Sequence, residues 1–259
     1  MEFEHIRLEQ SAAAVATITL ARPERLNAMS AQTVDELRAA VGEVAASEAR
    51  CLLLAGEGRG FSSGADLASG GGLPEDAGEA LERHFNPMVE ALFALDIPVV
   101  AAVQGPCAGA GCSLALSADL VIAARSAYFL QAFVNIGLIP DAGATWLLPR
   151  LAGRARAIEM MMLGERIEAE KALAWGLVSQ VVEDEHLGSE AAALAARLAR
   201  GPTVALGLIR KLARNSEQLS LSEALAAERA AQREAGRTED FKAAVAAFLG
   251  KRQPRFDGR

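Results

Sequence analysis

The sequence predicts an α/β protein with an at least partly parallel sheet, followed by a helical C-terminal region. Three observations predict it. Short apolar, β-branched segments alternate with helical ones that carry their apolar residues on one face. A strand, a glycine-rich loop and a helix follow one another twice, over 51–95 and over 99–117. After Pro149 the chain turns to Ala, Leu, Glu and Arg with helical periodicity and a single short strand.

Taken in order, the first strands are expected at 6–8 and 15–20, split by Ser11 and Ala12. Pro23 removes a backbone donor and pushes Arg22 out of helical geometry, so 22–25 reads as a loop. Ser30 is placed to cap a helix over 31–46, in which Val34, Leu37, Val41 and Val44 keep a three–four spacing. A strand at 51–55 opens into a long loop, 56–67, that runs on into Gly70, Gly71 and Gly72. The helix expected over 76–95 puts Leu81, Phe85, Met88, Leu92 and Leu95 on one face. Pro98 starts the strand 99–103, and the segment GPCAGAGCSLALSAD at 105–119 follows it. That segment packs small residues where a backbone turns tightly, then begins an apolar helix near Ser113. Further strands are expected at 120–123, 128–130 and near 179–182. Helices are expected at 153–163, 168–175, 189–200, 203–214, 220–235 and 238–249, with Gly176 and Gly201-Pro202 as stops. Their wide Ala/Leu faces suit either a neighbouring subunit or the domain's own core.

The 259 residues are enough to bury a large core. No apolar run is long enough to span a bilayer, and no signal peptide is visible. The three cysteines, Cys51, Cys107 and Cys112, sit in apolar or small-residue runs without metal or disulfide spacing, which points to the reducing cytoplasm. A net charge of −7 disfavours nucleic acid or an anionic membrane as partner.

Motifs narrow the chemistry. No P-loop lysine or complete dinucleotide fingerprint is present, and no His or carboxylate set has metal-ligand spacing, so no catalytic metal is expected. GFSSG at 60–64 has the form of a nucleophile elbow. However, residues 56–59 separate it from the strand, and Gly70 to Gly72 deny it a helix. The informative pair is SGAD at 63–66 and AGAG at 108–111, two small-residue loops that each follow a strand. Each can present one backbone N–H, and two converging N–H groups form an oxyanion hole worth several kcal/mol.

The segments RPERLNA (22–28), GFSSGADL (60–67), 105–119 and IGLIPDAG (136–143), with GRARA (153–157) and FLGKR (248–252), complete the pattern. In this order and spacing the chain resembles the crotonase (enoyl-CoA hydratase/isomerase) superfamily over essentially its full length. The resemblance implies a crotonase-like ββα spiral over 1–198 and a C-terminal helical region, 199–259, that forms trimers and closes the pocket. The trimers would often pair into hexamers. It implies a cytoplasmic enzyme of fatty-acid or phenylacetate breakdown. The substrate would be an acyl-coenzyme A, with no cofactor beyond that coenzyme A. Carried over residue by residue, Ala65 and Ala110 would supply the oxyanion amides. Arg25, Ala28, Ser63, Asp66 and Leu67 would wrap the coenzyme A, and Gly109, Ser113, Phe133 and Pro140 would face the substrate.

Hydratases of the superfamily use two glutamates, and Ser113 and Phe133 stand at those positions here. Asp141, after Ile139-Pro140, resembles instead the base of the isomerase branch, which rearranges arene epoxides (1,2-epoxyphenylacetyl-CoA to oxepin-CoA) and moves double bonds in enoyl-CoA. Ala144 departs from that branch, which usually repeats glycine there. One carboxylate that removes and returns a proton suits isomerisation. A dry pocket of Phe133, Ile136 and Trp146 would raise its pKa. On the residues alone, Asp141 also reads as a helix cap before 142–146. Two rival readings stay open: a hydratase in which Asp141 alone activates water, and a scaffold that binds acyl-CoA without turnover.

Overall fold

β1 (Ile6–Gln10) and β2 (Val15–Leu20) pair antiparallel. α1 (Ala31–Ala45) then carries the chain to β3 (Cys51–Gly56), parallel to β2. Ser30 caps α1 as its position predicts, its Oγ accepting from the Thr33 N–H, and Val34, Leu37, Val41 and Val44 are buried. The computed structural model describes residues 3–67 and 76–259, so the Gly70 to Gly72 run lies outside the described residues.

The helix expected from 76 starts at 79 and passes through a π-helical turn, Leu81–Phe85, into α2 (Asn86–Ala94). Two local causes account for this. The Asp76 carboxylate accepts from the Gly78 N–H and holds a turn there. Pro87 then has no N–H to return to Arg83, and the Asn86 N–H reaches back to Leu81 O instead.

From β4 (Val99–Val103) to β7 (Tyr128–Leu130), strands alternate between two sheets. β4 feeds β5 (Pro106–Ala108), α3 (Ala110–Leu116) returns the chain to β6 (Leu120–Ala124), and β6 feeds β7. A 3-10 turn, Ala132–Ile136, precedes α4 (Ala144–Ala152) and α5 (Arg154–Leu163). β8 (Ile167–Glu168), α6 (Ala169–Trp175) and β9 (Gln180–Val182) follow. The larger sheet runs β1-β2-β3-β4-β6-β9, parallel beyond the first hairpin, and the smaller runs β5-β7-β8. β5 and β8 are too short and too poor in apolar alternation to be read from sequence.

The strand period of two divides the core. Leu52, Leu54, Val99, Ala101, Val103, Val121 and Ala123 face α1, α2 and α3. Their neighbours Cys51, Leu53, Val100, Ala102 and Ile122 face α7 (Leu187–Ala199), which presents Leu187, Ala191, Ala195 and Ala199 at a spacing of four. Cys51, Cys107 and Cys112 are buried free thiols.

α8 (Thr203–Asn215), α9 (Leu221–Ala235) and α10 (Glu239–Leu249) form the C-terminal region. α8 is locked to the core by Arg210, whose side chain is 3% exposed. Arg210 Nε donates to both Asp119 oxygens, and its terminal nitrogens donate to the carbonyls of Leu92, Phe93 and Leu95 at the end of α2. Arg214 bonds Asp119 and Ser117 O, and its guanidinium stacks on Phe93. α9 and α10 leave Leu221, Leu225, Phe241, Val245, Phe248 and Leu249 exposed. Among the described residues no single helix is long and apolar enough to cross a membrane.

Candidate active site

Two loops meet because their backbones can approach closely. Ser62 N–H donates to Pro106 O and Ser62 O accepts from Ala108 N–H, so the loop after β3 runs parallel to β5. Gly64 and Gly109 touch where the loops cross. A Cβ on Gly64 would lie 2.9 Å from Ala108 O, and both glycines hold a positive φ (98° and 52°). The residue after each is a predicted amide donor, Ala65 or Ala110.

The direction of both donors follows from the trans peptide, which points a C=O and the next N–H opposite ways. Gly64 O accepts from Met29 N–H, so the Ala65 N–H faces away from the 22–29 loop, the same way as the bonds from Ser62 to β5. Gly109 O accepts from Ser113 N–H inside α3, so the Ala110 N–H leaves the start of that helix. Among the described residues neither N–H has a hydrogen-bond acceptor.

The loops are braced from behind by residues that sequence reasoning passed over. Asn27, buried at φ 53°, donates to Glu57 O and Gly60 O and accepts from Arg22 N–H. Ser62 Oγ donates to Asn27 O. The Arg22 side chain donates to Ala28 O at 2.7 Å and pairs with Asp66 at 3.0 Å. Ser62 between Gly60 and Gly64 was the available signal, yet Ser and Gly also make ordinary turns, and nothing around Asn27 marked it.

The expected coenzyme A segment therefore divides. Arg25, Ser63, Ala65 and Leu67 are exposed, with Leu67 69% exposed. Ala28 is buried and the Asp66 carboxylate is turned inward onto Arg22, so these two shape the loop from within. Ser113 is also not on a binding surface. It is fully buried, and its hydroxyl lies 3.0 Å from Asp141 O and 3.4 Å from Gly109 O.

Asp141 precedes α4 without capping it. The N-cap is Gly143 at φ 85°, reached through Ala142 at φ 49°, and no side chain caps the helix. Two left-handed residues move the helix start past the reach of the carboxylate, and the cap reading falls. Asp141 Oδ1 is buried without a hydrogen-bond partner among the described residues. That burial pushes the carboxyl up from 3.8 to about 6. Phe133 is 7% exposed and its ring lies against Gly109, while Pro140 is half-buried. Of the other two expected wall residues, Ile136 is 56% exposed, and Trp146 packs edge-on to Phe93 under Arg150. Ala144 is buried at the first position of α4. Shallow depressions of 190 Å³ at the β1–β2 turn and 150 Å³ between α8 and α9 carry one carboxylate each, Glu48 or Glu228, and touch none of these groups.

Two glycine-crossed loops and the half-buried Asp141 thus share one α/β scaffold. Residues 10–259 match the family model for enoyl-CoA hydratase/isomerase, and the chain belongs to that family, the crotonase superfamily. It is 47% identical over 264 aligned residues, with 100% of both chains covered, to the 1,2-epoxyphenylacetyl-CoA isomerase of Escherichia coli K12. It is 45% identical, again over 100% of both, to a Rhodobacter capsulatus protein named "Probable enoyl-CoA hydratase". The crystal structure of an enoyl-CoA hydratase from Bacillus anthracis superposes with a TM-score of 0.94 at 31% identity, covering 99% of this chain and 100% of that one.

Proposed function

We propose that the protein is an acyl-CoA isomerase in which one carboxylate, Asp141, shuttles a proton beside a thioester held by the Ala65 and Ala110 amides. The observation that carries this reading is the Asp141 carboxylate itself: half-buried, with Oδ1 buried and without a hydrogen-bond partner among the described residues, and tied through Ser113 to the helix that Ala110 begins. A thioester carbonyl accepting from both N–H groups acidifies the adjacent C–H, because the enolate oxygen that forms is stabilised by donors already in place. Asp141 takes a proton from one carbon and returns it to another, so the product has the mass of the substrate. The 47% identical isomerase favours 1,2-epoxyphenylacetyl-CoA, opened to its oxepin isomer, as substrate; 3-enoyl-CoA thioesters are the simpler class. The exposed edge formed by Arg25, Ser63 and Leu67 would take the coenzyme A, and the reaction calls for no further cofactor.

The alternative, hydration with Asp141 activating water alone, draws on the 45% identical relative. Ser113 and Phe133 argue against it, because adding water needs one group to activate it and another to protonate the α-carbon. Incubation with both substrates and with crotonyl-CoA separates the readings. Mass-neutral conversion of the first two, abolished by Asp141→Asn, is the expected result; hydration of crotonyl-CoA as the dominant reaction overturns it. The exposed apolar residues of α9 and α10 support a homotrimer or a dimer of trimers, which sedimentation would test; a monomer refutes it.

A further inference from the structure

We infer that Ser113 is a positioning residue that fixes the Asp141 carboxylate relative to the Ala110 amide, an inference that rests on the isomerase reading above. A helix serine ordinarily returns its hydroxyl proton to the carbonyl four residues back. Here that carbonyl, Gly109 O, is the poorer acceptor at 3.4 Å, whereas Asp141 O lies at 3.0 Å, 28 residues further along the chain. The hydroxyl has one proton to give, and the shorter contact takes it.

The tie joins the two halves of the chemistry. Ser113 N–H already holds Gly109 O, whose peptide carries the Ala110 N–H. Ser113 Oγ holds the carbonyl of the base residue itself. One buried residue therefore hydrogen-bonds both peptides, and the distance between oxyanion donor and base is set through it. Such a tie is needed because the following residues store strain. Ala142 is a non-glycine residue at φ 49° and is buried, and Gly143 follows at φ 85°. With only the turn bond from Ala144 N–H left on Asp141 O, residues 141–143 are free to relax and the carboxylate moves with them. Where superfamily hydratases place a glutamate that touches substrate, this chain has a side chain that never reaches the surface and acts through its neighbour.

The test is Ser113→Ala, assayed on cis-3-hexenoyl-CoA across the pH range beside wild type and Asp141→Asn. A misplaced base costs kcat about 10- to 100-fold while KM changes by less than about twofold, because binding contacts are intact. The acidic limb of kcat falls below its wild-type position, as water reaches a loosened carboxylate. Ser113→Thr, which keeps the hydroxyl, recovers most of the lost rate. Should the alanine protein not fold, Ser113→Cys, nearly isosteric and a weak donor, is read the same way. A kcat and acidic limb unchanged in a folded Ser113→Ala, with Asp141→Asn inactive, overturn the tether and leave the isomerase reading standing. An active Asp141→Asn overturns both.

Discussion

Replacing Asp141 by Asn tests the burial of the proposed base by a measurement that needs no substrate. The carboxyl is pushed from 3.8 to about 6, and at about 1.4 kcal/mol per pH unit this corresponds to about 3 kcal/mol. The sign follows from proton binding. Between these values the folded chain holds the Asp141 proton and the unfolded chain has released it. Stability therefore falls as pH rises from about 4 to about 6 and is flat beyond, where both states are ionised. Asparagine has no proton to lose. Urea unfolding of both proteins from pH 4 to 7.5 removes the titrations they share. The difference in unfolding free energy should move by about 2 to 3 kcal/mol in favour of the variant over that window, somewhat less than the full value because water reaches part of the carboxylate. A constant offset between the two curves refutes the argument, since it means that Asp141 titrates alike folded and unfolded. In kinetics the same group makes kcat/KM rise with pH to a plateau above about 6, and the variant loses that limb with its activity.

The remaining predictions concern the crossing of the two loops and the anchoring of α8. Gly64→Ala forces a Cβ to 2.9 Å from Ala108 O at a φ of 98°, which costs about 1–3 kcal/mol and misaligns the Ala65 amide. A loss of kcat of about 100- to 1000-fold in a folded protein is expected from removing one donor, and an undiminished kcat would exclude Ala65 from the site. Arg210→Ala leaves Asp119 to Arg214 and the Val99 N–H and uncaps three carbonyls at the end of α2, so denaturant unfolding should show about 2–4 kcal/mol of lost stability. Arg210→Lys should rescue little, because one ammonium cannot span the same acceptors. A loss below about 1 kcal/mol in the alanine variant would show that α8 is held by something else.

Much of the frame was legible because it rests on local periodicity. The run 99–103 is buried at every position, Ser30 caps α1, and Gly176 ends α6, since each depends on residues a few places apart. The glycines marked the meeting of the two loops, because only a missing Cβ permits that approach. Other features depended on partners far along the chain. Arg22 pairs with Asp66, 44 residues further on, a partner that no local pattern marks. The edge-on packing of Trp146 on Phe93 was not legible, because its partner lies on α2, far earlier in the chain. The cap reading of Asp141 failed for a backbone reason: two left-handed residues delay the helix.

By itself, then, the order of residues determined the alternating α/β frame and the two small-residue loops, and it placed Asp141, with Ser113 and Phe133 where the family resemblance implies glutamates in hydratases. Those are matters of side-chain size, periodicity and residue type, and they survive in one dimension. Only the tertiary structure decided what each residue faces. It turned Asp66 inward, left Leu67 outside, buried one Asp141 oxygen without a partner, and laid Ser113 across to the Asp141 carbonyl. Desolvation and hydrogen-bond direction depend on what lies on every side of a group, and residues distant in the chain supply those sides.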